Sequence, residues 1–424
     1  MCSTALQNLE RLLLEGCIKL VKVHTSLGQH KKIVIVNLTA CINLKSLPSR
    51  LDMDSLEKLI LSGCSKLKKL PEFGENIKYL SKIDLKDCKT LGWLPCSIGN
   101  LKSLVTLNIF GCSKLLSLPD NLEENESIEV LDISGTGIRK IPSSINSLRD
   151  LRKLYANGCL WSTLGSSSNL LSRALKAFRF TSYEAPISFT LPPSISSLSS
   201  LKELKLTNFT LNLRLIPNDL GCLPSLEVPD LSGNDFSNLP SGSCILPSSF
   251  SSLSSLRELN LNNCNLCDGS IPNDLSPLSS LKLLRPSGNN FTNLPSAFVS
   301  NLLALEILCL NHFNKLLSLL DVPPHMEFIN AICCHPSMKI PSIPEVVWRF
   351  FSSPNFQPNW LAKKRPFSLY VPRSEIPSWF HNQNLDLLDS EKTCIKVDIS
   401  HFHDSSEMWG IDTRHGTNQF WKTR

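Results

Sequence analysis

The chain has 424 residues, enough for two to four ordinary domains or for one long repeat array. Apolar residues make up 42%, charged residues 19%, and the net charge is only +6, so neither nucleic acid nor an anionic membrane is indicated as a partner. Residues 1–25 lack the basic start, apolar run and cleavage site of a secretory signal, and no apolar stretch approaches the roughly 20 residues of a membrane span. The expected location is the cytoplasm, with the nucleus as an alternative.

From its start the chain repeats one phrase, LxxLxLxxC. Copies begin at Leu9, Ile33, Leu56, Leu80, Leu104, Ile128 and Leu151, at steps of 24, 23, 24, 24, 24 and 23 residues. Weaker copies begin at Leu201, Leu226, Leu256, Leu281, Leu305 and Met326, giving about 13 repeats over residues 1–340. A period near 24 with leucines at the first, fourth and sixth places and Cys or Asn at the ninth is the leucine-rich-repeat signature. One repeat cannot bury its leucines alone, so neighbours stack. The predicted fold is an α/β leucine-rich-repeat solenoid, with a curved parallel sheet and an irregular or short-helical convex side.

Cys17, Cys41, Cys64, Cys88, Cys112, Cys159, Cys264 and Cys334 occupy the ninth place, where the chain leaves the strand and turns inward. A small side chain with a weak S–H donor fills that corner and reaches a carbonyl of the adjoining turn. A long column of identical, parallel side chains does not pair off into disulfides, and it favours a reducing compartment. Cys-x-x-Cys occurs once, at Cys264 and Cys267, without a second pair for zinc.

Pro48, Pro71, Pro95, Pro119, Pro142, Pro240 and Pro295 each follow Leu or Ile about ten residues past the strand. Fixed φ and a missing N–H suit an extended convex segment that joins no ladder. Segments such as "SIGNLKSL" and "SINSLRDL" then lead into the next strand as a short helix or turn.

Three departures follow. The step from Leu151 to Leu201 holds an irregular insertion around 160–195. Pro229 and Pro286 fall at inward positions of expected strands, where each deletes a sheet hydrogen bond, so the ladder should be weakest there. Beyond residue 340 the period stops: 341–366 is a Pro- and aromatic-rich linker, and 367–424, with the alternating "KTCIKVDISHF", is a small partial β domain.

The residues flanking the inward leucines face the concave surface. Lys58, Lys82 and Lys86 are expected to gather there as a basic cluster, with Asp84, Asp132 and Lys153 beside them and Phe110 and Tyr155 as flat apolar anchors. Aromatics ringed by charge suit protein recognition.

The phrases "SGCSKLKKLP", "SGTGIRKIPSSI" and "VPRSEIPSWFHNQ" resemble the repeat region and following jelly-roll-like domain of plant TIR-type nucleotide-binding leucine-rich-repeat immune receptors, over residues 1 to about 400. The resemblance implies recognition of a protein, either a pathogen effector or a guarded host protein, with the nucleotide-binding domain of such a receptor as a further partner. It does not bring TIR or nucleotide chemistry, because no G-x-x-x-x-G-K-[ST] phosphate loop occurs. No catalytic residue, cofactor or metal site is expected, and the chain reads as a fragment or truncated product. Arg373 stands where that family usually has glycine.

Two other readings stay open. "NLCDGSIPNDLSPLSSL" and N-x-[ST] at Asn37, Asn125, Asn208 and Asn290 resemble extracellular leucine-rich-repeat receptors or inhibitors. His401, His403 and Asp404 form the one close His pair with a carboxylate, a weak metal signal.

Overall fold

The computed structural model describes residues 8–158, 191–208, 221–236 and 248–317, apart from a few isolated positions, and strands at 328–330, 367–372, 394–399, 409–412 and 419–422. Residues 160–190 of the insertion, the 341–366 linker, Cys159, Cys334, Pro240 and the His401–Asp404 cluster lie outside them. The chain falls into two compact units, Met1–Pro229 and Asp230–Arg424.

In the first unit each coil contributes one three-residue strand. Arg11–Leu13, Ile35–Asn37, Lys58–Ile60, Lys82–Asp84, Thr106–Asn108, Val130–Asp132, Lys153–Tyr155 and Glu203–Lys205 pair in parallel in that order. The middle residue of each points inward because side chains alternate along a strand. Leu59, Ile83, Leu107, Leu131 and Leu154 therefore stack in register, each at most 1% exposed. Truncating one to alanine should cost about 2–5 kcal/mol.

Two residues past the sixth place of the repeat, held by Leu61 and Ile109, the backbone turns through a left-handed residue, at φ +77° for Gly63 and +71° for Gly111. Glycine takes this conformation without steric penalty, which explains the "SGC" and "FGC" spelling. Ala40 and Asp87 hold the same place at φ 58° and 59°. The cysteine follows and points inward: Cys41, Cys64, Cys88 and Cys112 are fully buried, and their Sγ atoms donate to the carbonyls of Leu14, Leu38, Leu61 and Leu85 at 3.1, 3.2, 3.2 and 3.2 Å. Each acceptor lies one coil earlier, so the column ties coil to coil.

On the far side, Pro95, Pro119 and Pro142 cap five-residue 3-10 helices at Cys96–Asn100, Asp120–Glu124 and Ser143–Ser147. The helical element of the convex side is thus 3-10 rather than α, in keeping with a segment too short for a second α-helical turn. The expectation that the proline segments join no ladder needs correction. Arg50–Leu51 and Glu72–Phe73, just past Pro48 and Pro71, pair in parallel, and single bridges join Lys22 to Ser46 and Lys69 to Trp93 just before the prolines. The prolines stay unpaired while their neighbours, which keep their N–H groups, meet the next coil.

The second unit continues the pattern with Glu258–Asn260, Leu283–Arg285, Ile307–Cys309 and Phe328–Asn330 in parallel. Phe328–Asn330 also pairs in parallel with Phe367–Pro372, which pairs antiparallel with Cys394–Ile399, while Trp409–Asp412 and Gln419–Lys422 form their own antiparallel pair. Strand Cys394–Ile399 lies within the alternating "KTCIKVDISHF" stretch.

Both strand prolines go with a shortened ladder. Beside Pro229 the pairing shrinks to one residue pair, Asp230 with Asn260, where most strands share three. At Pro286 the pairing of Leu283–Arg285 with Ile307–Cys309 also shortens, to two residue pairs, and a side chain makes up part of the loss. In the preceding coil the N–H at this place, that of Leu261, reaches the Arg285 carbonyl at 2.8 Å; Pro286 has none, and the Ser287 hydroxyl instead donates to the Cys309 carbonyl at 2.8 Å.

Candidate protein-binding face

The face opposite the leucine stack carries two rows of side chains, fixed by the strand register. One runs Lys58, Lys82, Thr106, Val130, Lys153, Glu203; the other runs Ile60, Asp84, Asn108, Asp132, Tyr155, Lys205. Lys58 and Lys82 are direct neighbours, as a basic cluster requires. Lys82 leans to Asp84, Nζ to Oδ2 3.8 Å, and Lys86 sits over the Phe110 ring, 5.3 Å from its centroid.

Asp84 and Asp132 each close a turn of their own coil, and Asp84 also binds the coils on either side. Asp84 Oδ1 accepts from Ser62 Oγ at 2.8 Å, Asn108 Nδ2 at 3.2 Å and the Lys86 N–H at 3.2 Å; Asp132 Oδ1 accepts the Ser134 N–H at 2.9 Å. Asn37, Asn108, Asp230 and Asn260 make the same bond to the N–H two residues on. A short carboxylate or amide here closes an Asx-type turn as the chain leaves the strand. Desolvation raises the Asp132 carboxyl above its ordinary range, although hydrogen bonds from Ser134 and the charges of Lys205 and Lys86 oppose it.

Tyr155 and Lys153 meet a residue outside the predicted set. Glu203, 50 residues on in sequence, is the direct strand neighbour of Lys153. Its carboxylate accepts from Lys153 Nζ and from Tyr155 Oη, both at 2.5 Å, and Lys205 Nζ lies 5.0 Å from the centre of the Tyr155 ring. Burial, the Glu203 hydrogen bond and the Glu203 charge all push the Tyr155 phenol up, so it stays protonated. For Glu203, desolvation raises the carboxyl, but the bonds from Lys153 and Tyr155 outweigh it and hold the group below its ordinary range.

Two cation–aromatic pairs, Lys86 with Phe110 and Lys205 with Tyr155, thus stand on coils to either side of Asp132. Phe110 is 37% exposed, whereas Ser134 is only 1% exposed and offers no contact. Preset aromatics and satisfied charges reduce the ordering cost a partner meets.

The glycosylation signals do not all fit the fold. Asn125 is fully buried with Nδ2 donating to the Leu101 carbonyl at 2.6 Å, and Asn37 Oδ1 holds both the N–H and the hydroxyl of Thr39. The Cys-x-x-Cys pair is split, Cys264 being buried with Sγ 3.3 Å from the Leu231 carbonyl and Cys267 exposed. Among the described residues no group of three or more His, Cys, Asp or Glu is placed to hold a metal, and no helix is long and apolar enough to cross a membrane.

Parallel three-residue strands, a left-handed turn, an inward Cys or Asn and a 24-residue step define a leucine-rich-repeat protein. It is related to a plant disease-resistance protein: the chain is 28% identical, over 90% of its length, to TMV resistance protein N of Nicotiana glutinosa. It spans about a third of that relative's length, 31%. No protein-family model matches the chain. Among solved structures it is similar to a leucine-rich-repeat protein of Leptospira interrogans, at 22% identity and TM-score 0.48, covering 80% of this chain and 82% of that one. An internalin of Listeria monocytogenes aligns at 16% identity and TM-score 0.46, over 79% and 85%.

Proposed function

We propose that this chain is a non-catalytic recognition module of an intracellular plant immune receptor of the TIR-type class, working in the cytoplasm. Its strand face takes a protein ligand, a pathogen effector or a guarded host protein. The observation that carries this reading is the row running from Lys86–Phe110 through Asp132 to Tyr155–Lys205, where aromatic anchors and cations are held in place before any partner arrives. The relationship to a resistance protein supports the biological setting. Lys58 and Lys82 form the positive rim of the site, and the strands between 367 and 424 are a second contact region in this reading.

The extracellular alternative is less well supported, because the buried amide of Asn125 cannot take a glycan in the folded chain. The test is co-precipitation from plant tissue with the intact chain and with Phe110→Ala/Tyr155→Ala/Lys205→Ala, followed by affinity measurement on the purified pair. A protein ligand should bind the triple variant at least about tenfold more weakly, as loss of central aromatic anchors does elsewhere. An unchanged affinity, or turnover of a small-molecule substrate, would overturn the assignment.

A further inference from the structure

The strand face does not account for a second concentration of positive charge among the described residues. Between the cysteine column and the proline column, segments 17–23, 41–48, 64–71, 88–95 and 112–119 carry eight lysines and no aspartate or glutamate, within a chain whose net charge is only +6. All eight are exposed. The coils bring them together: the Lys45 N–H donates to the Val21 carbonyl, the Gly92 N–H donates to that of Lys68, and Lys69 is bridged to Trp93. Lys66 Nζ reaches the neutral Asn43 Oδ1 at 2.7 Å. Among the described residues none of these lysines is matched with a carboxylate, whereas elsewhere Lys31, Lys153, Lys202 and Lys282 each are.

Apolar groups are set between the charges. Ile42, Trp93 and Leu116 are 45%, 57% and 69% exposed on successive parts of the same flank. Large apolar side chains left in water among unpaired cations mark an interaction surface, since each forfeits burial that a partner would restore.

We propose that this post-cysteine flank is a second docking surface, separate from the strand face, for an acidic polypeptide segment bearing apolar side chains. Charge complementarity sets the sign of the partner. The five segments hold lysine and no arginine, which suits carboxylates taken as point charges rather than the bidentate grip on phosphate that arginine supplies. Ile42 and Leu116 call for aliphatic contacts that a sugar–phosphate backbone does not offer. Coils repeat at about 4.8 Å, so every third residue of an extended peptide, roughly 10 Å on, meets every second coil.

The inference goes beyond the proposed function and stands without it. The test uses the full chain and fluorescence anisotropy with a fluorescein-labelled dodecapeptide of repeating Glu-Glu-Leu. A Gln-Gln-Leu dodecapeptide, a twelve-nucleotide oligothymidine and phosphatidylserine vesicles serve as competitors. The acidic peptide should bind with salt-sensitive affinity, Lys68→Glu/Lys69→Glu/Lys89→Glu should weaken it at least about tenfold, and Trp93→Ala should weaken it severalfold. Tyr155→Ala/Lys205→Ala should leave it unchanged, which separates this surface from the strand face. Should the reversed chain not fold, Lys→Gln at the same three positions gives the same reading with a smaller loss. Equal binding of the neutral peptide, preference for oligothymidine or vesicles, or a curve unmoved by both lysine variants would overturn the proposal.

Discussion

Cys88 Sγ lies 3.2 Å from the carbonyl oxygen of Leu61, and that oxygen also accepts the Cys64 N–H at 3.1 Å, so one acceptor joins a coil to itself and to the next. Burial is the main reason the thiols of Cys64, Cys88 and Cys112 are hard to ionise. It pushes Cys64 and Cys112 up to about 12 and Cys88 above them.

Thiol chemistry should therefore divide by position. Cys96, Cys222 and Cys267 are exposed and should react with an aromatic disulfide reagent in the native state at pH 8, while Cys64, Cys88 and Cys112 should react only on unfolding. The linked pH effect has a definite sign. Below about pH 8.5 these thiols are protonated in both states; above it the unfolded chain loses protons that the folded one keeps, so stability falls as pH rises, by about 1 kcal/mol per pH unit for each of Cys64, Cys88 and Cys112. Urea midpoints at pH 7.5 and 10 should show a smaller alkaline loss for Cys64→Ala/Cys112→Ala than for the parent chain. Equal losses would place the titration in other groups.

The Ser287 hydroxyl offers a second test, because it donates to the Cys309 carbonyl at 2.8 Å and accepts the Asn311 N–H at 3.0 Å. Ser287 is buried, and its loss leaves two backbone groups short of a partner. Ser287→Ala should cost about 1–3 kcal/mol in urea unfolding. Pro286→Leu restores an N–H at the place where Leu261 has one. The serine substitution should then cost less in that background, and full additivity across the double-mutant cycle would mean that the hydroxyl does not stand in for the missing N–H.

These cases show what the sequence could reveal. The 24-residue step, the inward leucines and the cysteine column are local and periodic, so each could be placed from spacing alone. The Ser287 bond could not, since serine is common on this chain and only the register of Pro286 against Cys309 gives it a role. Nor could the pairing of Arg50–Leu51 with Glu72–Phe73, whose two-residue strands are too short for alternation to show. Asp84 and Asp132 were legible as residues on the strand face, but their turn-closing role appears only when the same bond recurs at Asn37, Asn108 and Asn260. Glu203 and Lys205 were hidden for another reason. The 50-residue step from Leu151 to Leu201 breaks the period where they would be counted, and only strand pairing sets Glu203 beside Lys153.

Tyr155 and Glu203 test whether this face is held ready. The phenol donates to Oε2 and Lys153 to Oε1, which together keep the Glu203 carboxyl low despite its partial desolvation. A lowered carboxyl stabilises the fold at pH values above its unfolded titration and loses that contribution as pH falls through the folded one. Tyr155→Phe deletes one donor and leaves the ring beneath Lys205, so the Glu203 titration should move up and the stability that this group loses on acidification should shrink. NMR of carboxyl-labelled glutamate reads the first directly, and screening by solvent makes the second small at this half-exposed pair. An unmoved Glu203 titration would mean that the hydrogen bond is not populated in solution. The aromatic would then have to be ordered by the partner, and the affinity lost in the Phe110, Tyr155 and Lys205 variant could no longer be credited to a preset site.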